Sequence, residues 1–303
     1  MKARSTEGDV TFALGTAQLG MNYGVANQSG QPDFDLAREI VQTAASAGCR
    51  YLDTAAAYGE SEKVLGRILA TTADRDDLAV ITKAALRVAG QYRSGEITEA
   101  VRQSLQRLNS ASIWALLLHR EEDLATWSDG LEQELAGLRA DKLVQHVGVS
   151  LYSPSWIPVL LKMPEIDVVQ VPCSIFDRRF VQGAADLMSA GKKVFLRSVF
   201  LQGLALMDVA RVPAKLGFAQ PALQALEDFC RQHSLSRRQW ALDYVRLRCP
   251  GAILIFGAER PDQVLENTQA LQRIEATSDL CDAWDECWSA EHDEALCPVH
   301  WPR

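Results

Sequence analysis

The stretch "RYLDTAAAYGESEKVLGRIL", residues 50–69, holds the fold in miniature. A short apolar run, Tyr51-Leu52, reaches Asp53. Tyr58 and Gly59 follow in a polar connection, and Val64, Leu65, Ile68 and Leu69 then recur at helical spacing. That order predicts a strand, a turn and an amphipathic helix. Asp and Gly are common turn residues, so taken alone the piece reads equally as a capped loop. A carboxylate ending a buried strand, with a phenol just beyond it, is what the rest of the chain has to explain.

The same strand-then-helix unit recurs along the chain. Apolar segments lie at "VTFALGT" (10–16), "CRYLDTA" (49–55), "LAVITKA" (78–84) and "SIWALLLH" (112–119). Four more follow at "VQHVGVSL" (144–151), "DVVQVPCS" (167–174), "KKVFLRSVF" (192–200) and "AILIFGA" (252–258). Helix-period stretches such as "DLAREIVQTAASAG", "EITEAVRQSLQRLN" and "DGLEQELAGLRADKL" separate them. Parallel strands joined by helices, repeating every ~30 residues, predict an α/β fold: a single-domain (β/α)8 TIM barrel. Residues 1–275 are assigned to the barrel and 276–303 to a C-terminal tail. A doubly wound open sheet is the competitor. No G-x-G-x-x-G follows the first strand and no G-x-x-x-x-G-K-[ST] occurs, which favours the barrel.

Composition narrows the function classes. The 303 residues are 48% hydrophobic and 23% charged, as in an ordinary globular chain. A net charge of -8 argues against an electrostatic grip on nucleic acid or an anionic membrane. The start, "MKARSTEGDVTF", has no apolar stretch behind its basic residues and does not read as a secretory signal. No run approaches the ~20 apolar residues of a membrane span. Seven scattered cysteines form no disulfide framework. The expected setting is cytoplasmic, with a small molecule as partner.

In such a barrel the active site lies at the C-terminal ends of the strands. The polar residues predicted there are Asp53 with Tyr58 beyond it, Lys83, His119, Ser150 and Gln170. Each alone has a bland reading: a lysine at the barrel mouth with its ammonium in water, or a hydrogen-bonded structural histidine. Together they say more. Lys and Asp are seldom fully buried unless paired, and an ion pair beside a phenol and an imidazole shifts pKa values.

These residues sit in blocks that resemble the aldo/keto reductase family: "ALGTAQLG", "LDTAAAYGESEKVLG", "ITKAAL", "LLLHREEDL", "VGVSLYS", "VVQVPCSIFDRR" and "IFGAERPDQVLEN", in the family's order to about residue 270. The resemblance implies a barrel that binds NADPH across its mouth, with NADH as the alternative dinucleotide, and reduces an aldehyde or ketone. Tyr58 would be the general acid, Lys83 the cation lowering its pKa, Asp53 the partner holding Lys83, and His119 the group orienting the carbonyl. Lowering a phenol's pKa by ~2 units takes about 2.7 kcal/mol of phenolate stabilisation.

Cofactor positions carry over by the same resemblance. Gly15 and Thr16 would lie under the nicotinamide end, and Ser150 and Gln170 would hold its carboxamide. Leu151 stands where Asn is common. Arg197 stands where an aromatic usually stacks on the nicotinamide, and a guanidinium can also stack on a flat ring. Ser198, Leu201 and Gly203 would line the pyrophosphate path, and Gln263, Glu266 and Asn267 the adenosine end. Gly257 and Gln263 occupy positions where many members carry the cations for the 2′-phosphate. The cation left is Arg260, beside a helix start marked by Pro261, with Glu259 opposing it. A modest NADPH preference is expected. Tyr23 and Phe176 are candidate substrate-pocket walls or packing aromatics, and an Arg at the mouth suits an anionic or sugar-like carbonyl compound.

The tail holds three of the seven Cys and three of the seven Trp. Cys281, Cys287, His292, Cys297 and His300 fit no zinc spacing, so no metal is expected. The tryptophans are expected over the substrate pocket, as in the family. Two rival readings keep the barrel: a lyase or aldolase using Lys83 as Schiff base, and a non-enzymatic NADPH-binding sensor.

Overall fold

The computed structural model describes residues 12–72, 75–288 and 296–301. Its strands are β1 (Phe12–Gly15), β2 (Tyr51–Asp53), β3 (Ala79–Ala84), β4 (Ile113–Leu118), β5 (Val144–Ser150), β6 (Val168–Pro172), β7 (Lys193–Arg197) and β8 (Ile253–Gly257). They pair in chain order into a closed barrel, β8 returning to β1. Every pairing is parallel. All eight apolar segments read from the sequence are therefore strands of one barrel.

Helices wrap the outside: α1 (Ala17–Gly20), α2 (Phe34–Ser46), α3 (Ser61–Leu69), α4 (Glu96–Leu108), α5 (Leu131–Ala140), α6 (Ile157–Leu160) and α7 (Val181–Ser189). Short 3-10 turns over 201–219 then lead to α8 (Gln220–Gln232) and α9 (Arg237–Arg248), with α10 (Pro261–Leu271) and α11 (Ser278–Cys287) after β8. Caps fix several starts. Asp33 accepts from Leu36 N at the head of α2, and Ser236 from Gln239 N at the head of α9.

The barrel interior is packed by Ala13, Ile81, Ala115, Leu117, Val168, Phe195, Ile253 and Ile255. Successive strand residues face opposite sides, so two residues further along each strand the chain again faces inward. Those next inward positions are Gly15, Lys83, His119, Gln170, Arg197 and Gly257. Asp53 stands in the same relation to Tyr51, which packs against the interior cluster. One parity rule thus gathers the polar residues of many strands at one end of the barrel.

Two contacts hold the opening stretch in place. Glu62 is buried; its carboxylate accepts from Thr82 Oγ1 of β3 at 2.5 Å and from Arg107 Nε of α4 at 2.6 Å. Gly20 lets α1 pass close under the Tyr58 loop. A Cβ there would lie 2.0 Å from the Tyr58 carbonyl oxygen and 2.2 Å from Ser61 N.

Candidate active site

At the mouth of the barrel Lys83 Nζ donates to Asp53 Oδ1 at 2.7 Å and to the Thr54 carbonyl at 2.9 Å. It also lies 3.4 Å from Tyr58 Oη. Lys83 is 1% exposed and Asp53 4%, so two opposite charges are buried as a pair. Asp53 Oδ1 accepts a second bond, from Gln170 Nε2 at 2.8 Å. The Tyr58 and His119 rings meet edge to face, 5.9 Å between centroids. Below them, buried hydroxyls tie β1, β2 and α3 together. Thr16 Oγ1 donates to the Asp53 carbonyl, Ser61 Oγ to the Thr16 carbonyl, and Thr54 Oγ1 to Ser61 Oγ.

Burial decides the protonation states. His119 is pushed down to about 3, chiefly by burial and further by Lys83, Arg197 and Arg120, so its imidazole is neutral. Burial, aided by Asp53, holds the Tyr58 phenol well above the usual tyrosine range, with Arg197 opposing. This corrects the expectation that Lys83 pulls Tyr58 down. Desolvation of the phenolate is the largest influence, and the Asp53 charge adds to it. Burial also lowers Lys83, and Asp53 resists. Tyr23 is raised to about 12, mainly by burial.

A cavity of about 320 Å³ opens on this cluster and runs along the barrel mouth. Gly15, Thr16, Tyr23, Asp53, Tyr58, His119, Ser150, Gln170 and Arg197 line one end. Ser198, Gly203, Gly257, Gln263 and Asn267 continue it to the other. Gln170 Oε1 is buried at the wall without a hydrogen-bond partner among the described residues. An orphan acceptor beside the Ser150 hydroxyl fits an amide.

Four expected contacts lie elsewhere. Leu201 is fully buried and does not face the cavity: the backbone passes through left-handed conformations at Ser198, Leu201 and Gln202 (φ 64°, 50° and 55°), turning the leucine into the core. Arg260 points outward into a salt bridge with Asp262 at 3.1 Å, and its side chain is 53% exposed. Glu266 binds Arg238 at 2.6 Å instead of lining the cavity. Phe176 is 0% exposed and packs against Trp284 and Trp288, so it is not a pocket wall.

The described part of the tail is anchored on α9 and on the connection after β6. Asp285 of α11 is gripped by Arg178 at 2.7 Å and by Arg248 and Tyr244 of α9. Trp284 donates to the Ile175 carbonyl at 2.7 Å, meets Phe229 and Trp240 edge to face and stacks on Trp288. None of the described tail residues lines the cavity. Among the described residues no group of three His, Cys, Asp or Glu could hold a metal; His292 lies outside them.

Two polar cavity residues that the sequence reading did not single out are Tyr152 and Arg238. Tyr152 follows β5 by two positions and carries the Arg197 guanidinium 4.1 Å above its ring. Arg238, on α9, is held by Glu266 and by Asn267 Oδ1. No strand-end signal marks it, because it reaches the cavity from a helix.

The aldo/keto reductase family matches residues 11–289. The chain is 27% identical over 281 residues to the uncharacterized oxidoreductase YqkF of Bacillus subtilis, covering 85% of this chain and 89% of that one. It is 23% identical over 299 residues to the D-threo-aldose 1-dehydrogenase of a Pseudomonas species, covering 85% and 90%. Among solved structures, the holo form of the aldo-keto reductase AKR11C1 from Bacillus halodurans superposes with a TM-score of 0.76 at 24% identity, covering 92% of each chain. An aldo-keto reductase from Klebsiella pneumoniae in complex with NADPH gives 0.71 at 19% identity, covering 91% and 90%.

Proposed function

The chain belongs to the aldo/keto reductase family, and on that premise we propose that it reduces a small aldehyde or ketone to the alcohol with NADPH. One observation carries the reading: the buried Lys83–Asp53 pair sets its ammonium 3.4 Å from the Tyr58 hydroxyl in the wall of a cavity. The residues fit the cofactor. Gln170 Oε1 and Ser150 would hold the nicotinamide carboxamide, Ser198 and Gly203 would lie along the pyrophosphate, and Gln263, Asn267 and Arg238 would meet the adenosine end. When bound, it supplies the hydride.

The protein's part is positioning and proton transfer. His119, neutral, donates a hydrogen bond to the carbonyl oxygen and aims it at Tyr58. Tyr58 keeps its proton until the oxygen gains negative charge, then gives it from Oη. Lys83 steadies the phenolate left behind, and Asp53 and the Thr54 carbonyl keep that ammonium charged and aimed. Tyr23 closes the wall near the reacting group. The substrate class is a small carbonyl compound carrying hydroxyls, in keeping with the aldose dehydrogenase among the relatives.

A Schiff-base role for Lys83 is disfavoured. Its amine is 1% exposed, hydrogen-bonded to Asp53 and the Thr54 carbonyl, and absent from the cavity wall. The deciding experiment follows NADPH oxidation over a panel of aldehydes and aldoses. Tyr58→Phe should cut turnover by at least ~100-fold while NADPH still quenches tryptophan fluorescence. Near-normal turnover in that variant, or no oxidation with any carbonyl, overturns the reading.

A further inference from the structure

We propose that Arg197 makes the site tell the two redox states of its cofactor apart, holding NADPH and shedding NADP+ through a positive charge that is paired with no carboxylate among the described residues. The inference rests on the dinucleotide reading given above and adds a discriminating residue to it.

Arg197 ends the inner face of β7, paired in register with Pro172 at the end of the strand that carries Gln170. Its guanidinium is fixed. Nη2 donates to the Leu151 carbonyl at 2.9 Å, Nη1 to Ser198 Oγ at 3.4 Å, and the plane lies 4.1 Å over Tyr152. Its Nε is buried without a hydrogen-bond partner among the described residues. The carboxylates nearby are engaged elsewhere: Asp53 with Lys83 at 2.7 Å, Asp177 with Arg179 at 2.8 Å, and Glu121 with the backbone N–H groups of Tyr152 and Ser153. The other titratable groups around it are neutral. His119 has lost its proton, while Tyr58, Tyr23 and Cys297 keep theirs. With the Lys83–Asp53 pair cancelling, Arg197 is the cavity-lining cation at this end that has no ion-pair partner among the described residues.

The two forms of the cofactor differ at that end alone. The nicotinamide ring is a cation when oxidised and neutral when reduced; riboses, phosphates and adenine are the same in both. Contacts at the far end of the cavity therefore cancel in the ratio of the two affinities. A ring whose carboxamide is held by Gln170 and Ser150 shares the wall with Arg197. Like charges in a partly dry cavity repel far more than in water, so Arg197 penalises NADP+ only. After hydride transfer it drives the oxidised product off, which relieves product inhibition. The opposing consequence falls on the step itself, because the on-enzyme equilibrium moves toward NADPH and carbonyl. A tenfold affinity ratio corresponds to about 30 mV for a two-electron couple.

The test is a pair of dissociation constants, for NADP+ and NADPH, measured by calorimetry on the full chain without substrate. Wild type should show a Kd ratio, NADP+ over NADPH, at least ~10-fold larger than Arg197→Gln. Arg197→Met, a second neutral variant whose long side chain can still cover Tyr152, should match Arg197→Gln, and Arg197→Lys should keep most of the wild-type ratio. An unchanged ratio in the neutral variants overturns the proposal. So does a lysine variant that behaves like glutamine, since stacking and not charge would then be at work. If neither form binds the wild type, the dinucleotide reading itself fails, a separately visible outcome.

Discussion

Lys83 is the residue on which the site turns, because it sits 1% exposed just above a barrel interior packed with apolar side chains. Burying an ammonium is tolerable only with a partner, and Asp53 Oδ1 at 2.7 Å supplies it. Lys83→Met should therefore cost ~3–5 kcal/mol by leaving the carboxylate unpaired, and Asp53→Asn added to it should restore part of the loss. Urea midpoints of the single and double variants check this; a double variant no more stable than Lys83→Met refutes it. His119 gives a pH signature. Its folded value of about 3 lies below the 6.5 of the unfolded chain, so between those values only the unfolded chain takes up the proton. Stability should fall as pH drops below 6.5, by at most about 1.4 kcal/mol per unit, and His119→Gln should flatten that slope. The same neutral imidazole leaves no inflection near 6.5 in a profile of kcat/KM. Lys83, Asp53 and His119 were legible in the sequence as polar interruptions at the ends of apolar strands. The direction of the Tyr58 shift was not, since spacing along a chain says nothing of how deeply a phenol is enclosed.

Elements that follow a simple periodicity were read correctly, and those steered by a single backbone event were not. The strand-to-helix stretch around Asp53 folds as written because strand parity, the turn and the apolar face of α3 agree. Leu201 was misplaced because left-handed residues in the β7 loop rotate its side chain away from the cavity, an outcome no motif spacing encodes. Phe176 and the described part of the tail lie away from the cavity for a different reason. The residues that capture α11, Arg178, Tyr244 and Arg248, lie far from it in sequence and look like ordinary surface positions until the barrel closes. Trp284, 1% exposed among Phe176, Phe229 and Trp240, acts as the peg of this attachment. Trp284→Ala should lower stability by ~3–5 kcal/mol while KM for a small aldehyde and the affinity for NADPH stay within about twofold. Thermal melts and steady-state kinetics separate the outcomes. A raised KM with unchanged melting would return the tail to the substrate pocket.

Across the whole molecule the closed barrel turns sequence order into a cavity along its mouth, with the Asp53, Tyr58 and His119 cluster at one end and Arg238 at the other. The order of strands was legible because each unit repeats the same pattern, but which helix residue leans over the far end depends on how α9 packs beside α10. That is where the expected cation changes identity. Arg260 is exposed and bound to Asp262 at 3.1 Å, outside the cavity. Arg238 lines it, its side chain 26% exposed, oriented by Glu266 at 2.6 Å and by Asn267. A guanidinium with part of its fork still open can meet a phosphate through charge-assisted hydrogen bonds. Two carboxylates limit the gain: Glu266 is bonded to the same guanidinium, and Glu259 lines the cavity nearby. The preference for NADPH over NADH should therefore be real but moderate. Arg238→Gln should weaken NADPH about tenfold, the equivalent of about 1.4 kcal/mol, and leave NADH within twofold. Arg260→Ala should change neither, and Glu259→Gln should sharpen the preference by removing a like charge. Direct titration of both dinucleotides against the three variants checks each arm. Equal weakening of NADPH and NADH in Arg238→Gln would mean that Arg238 holds the adenosine itself and that the 2′-phosphate is recognised elsewhere.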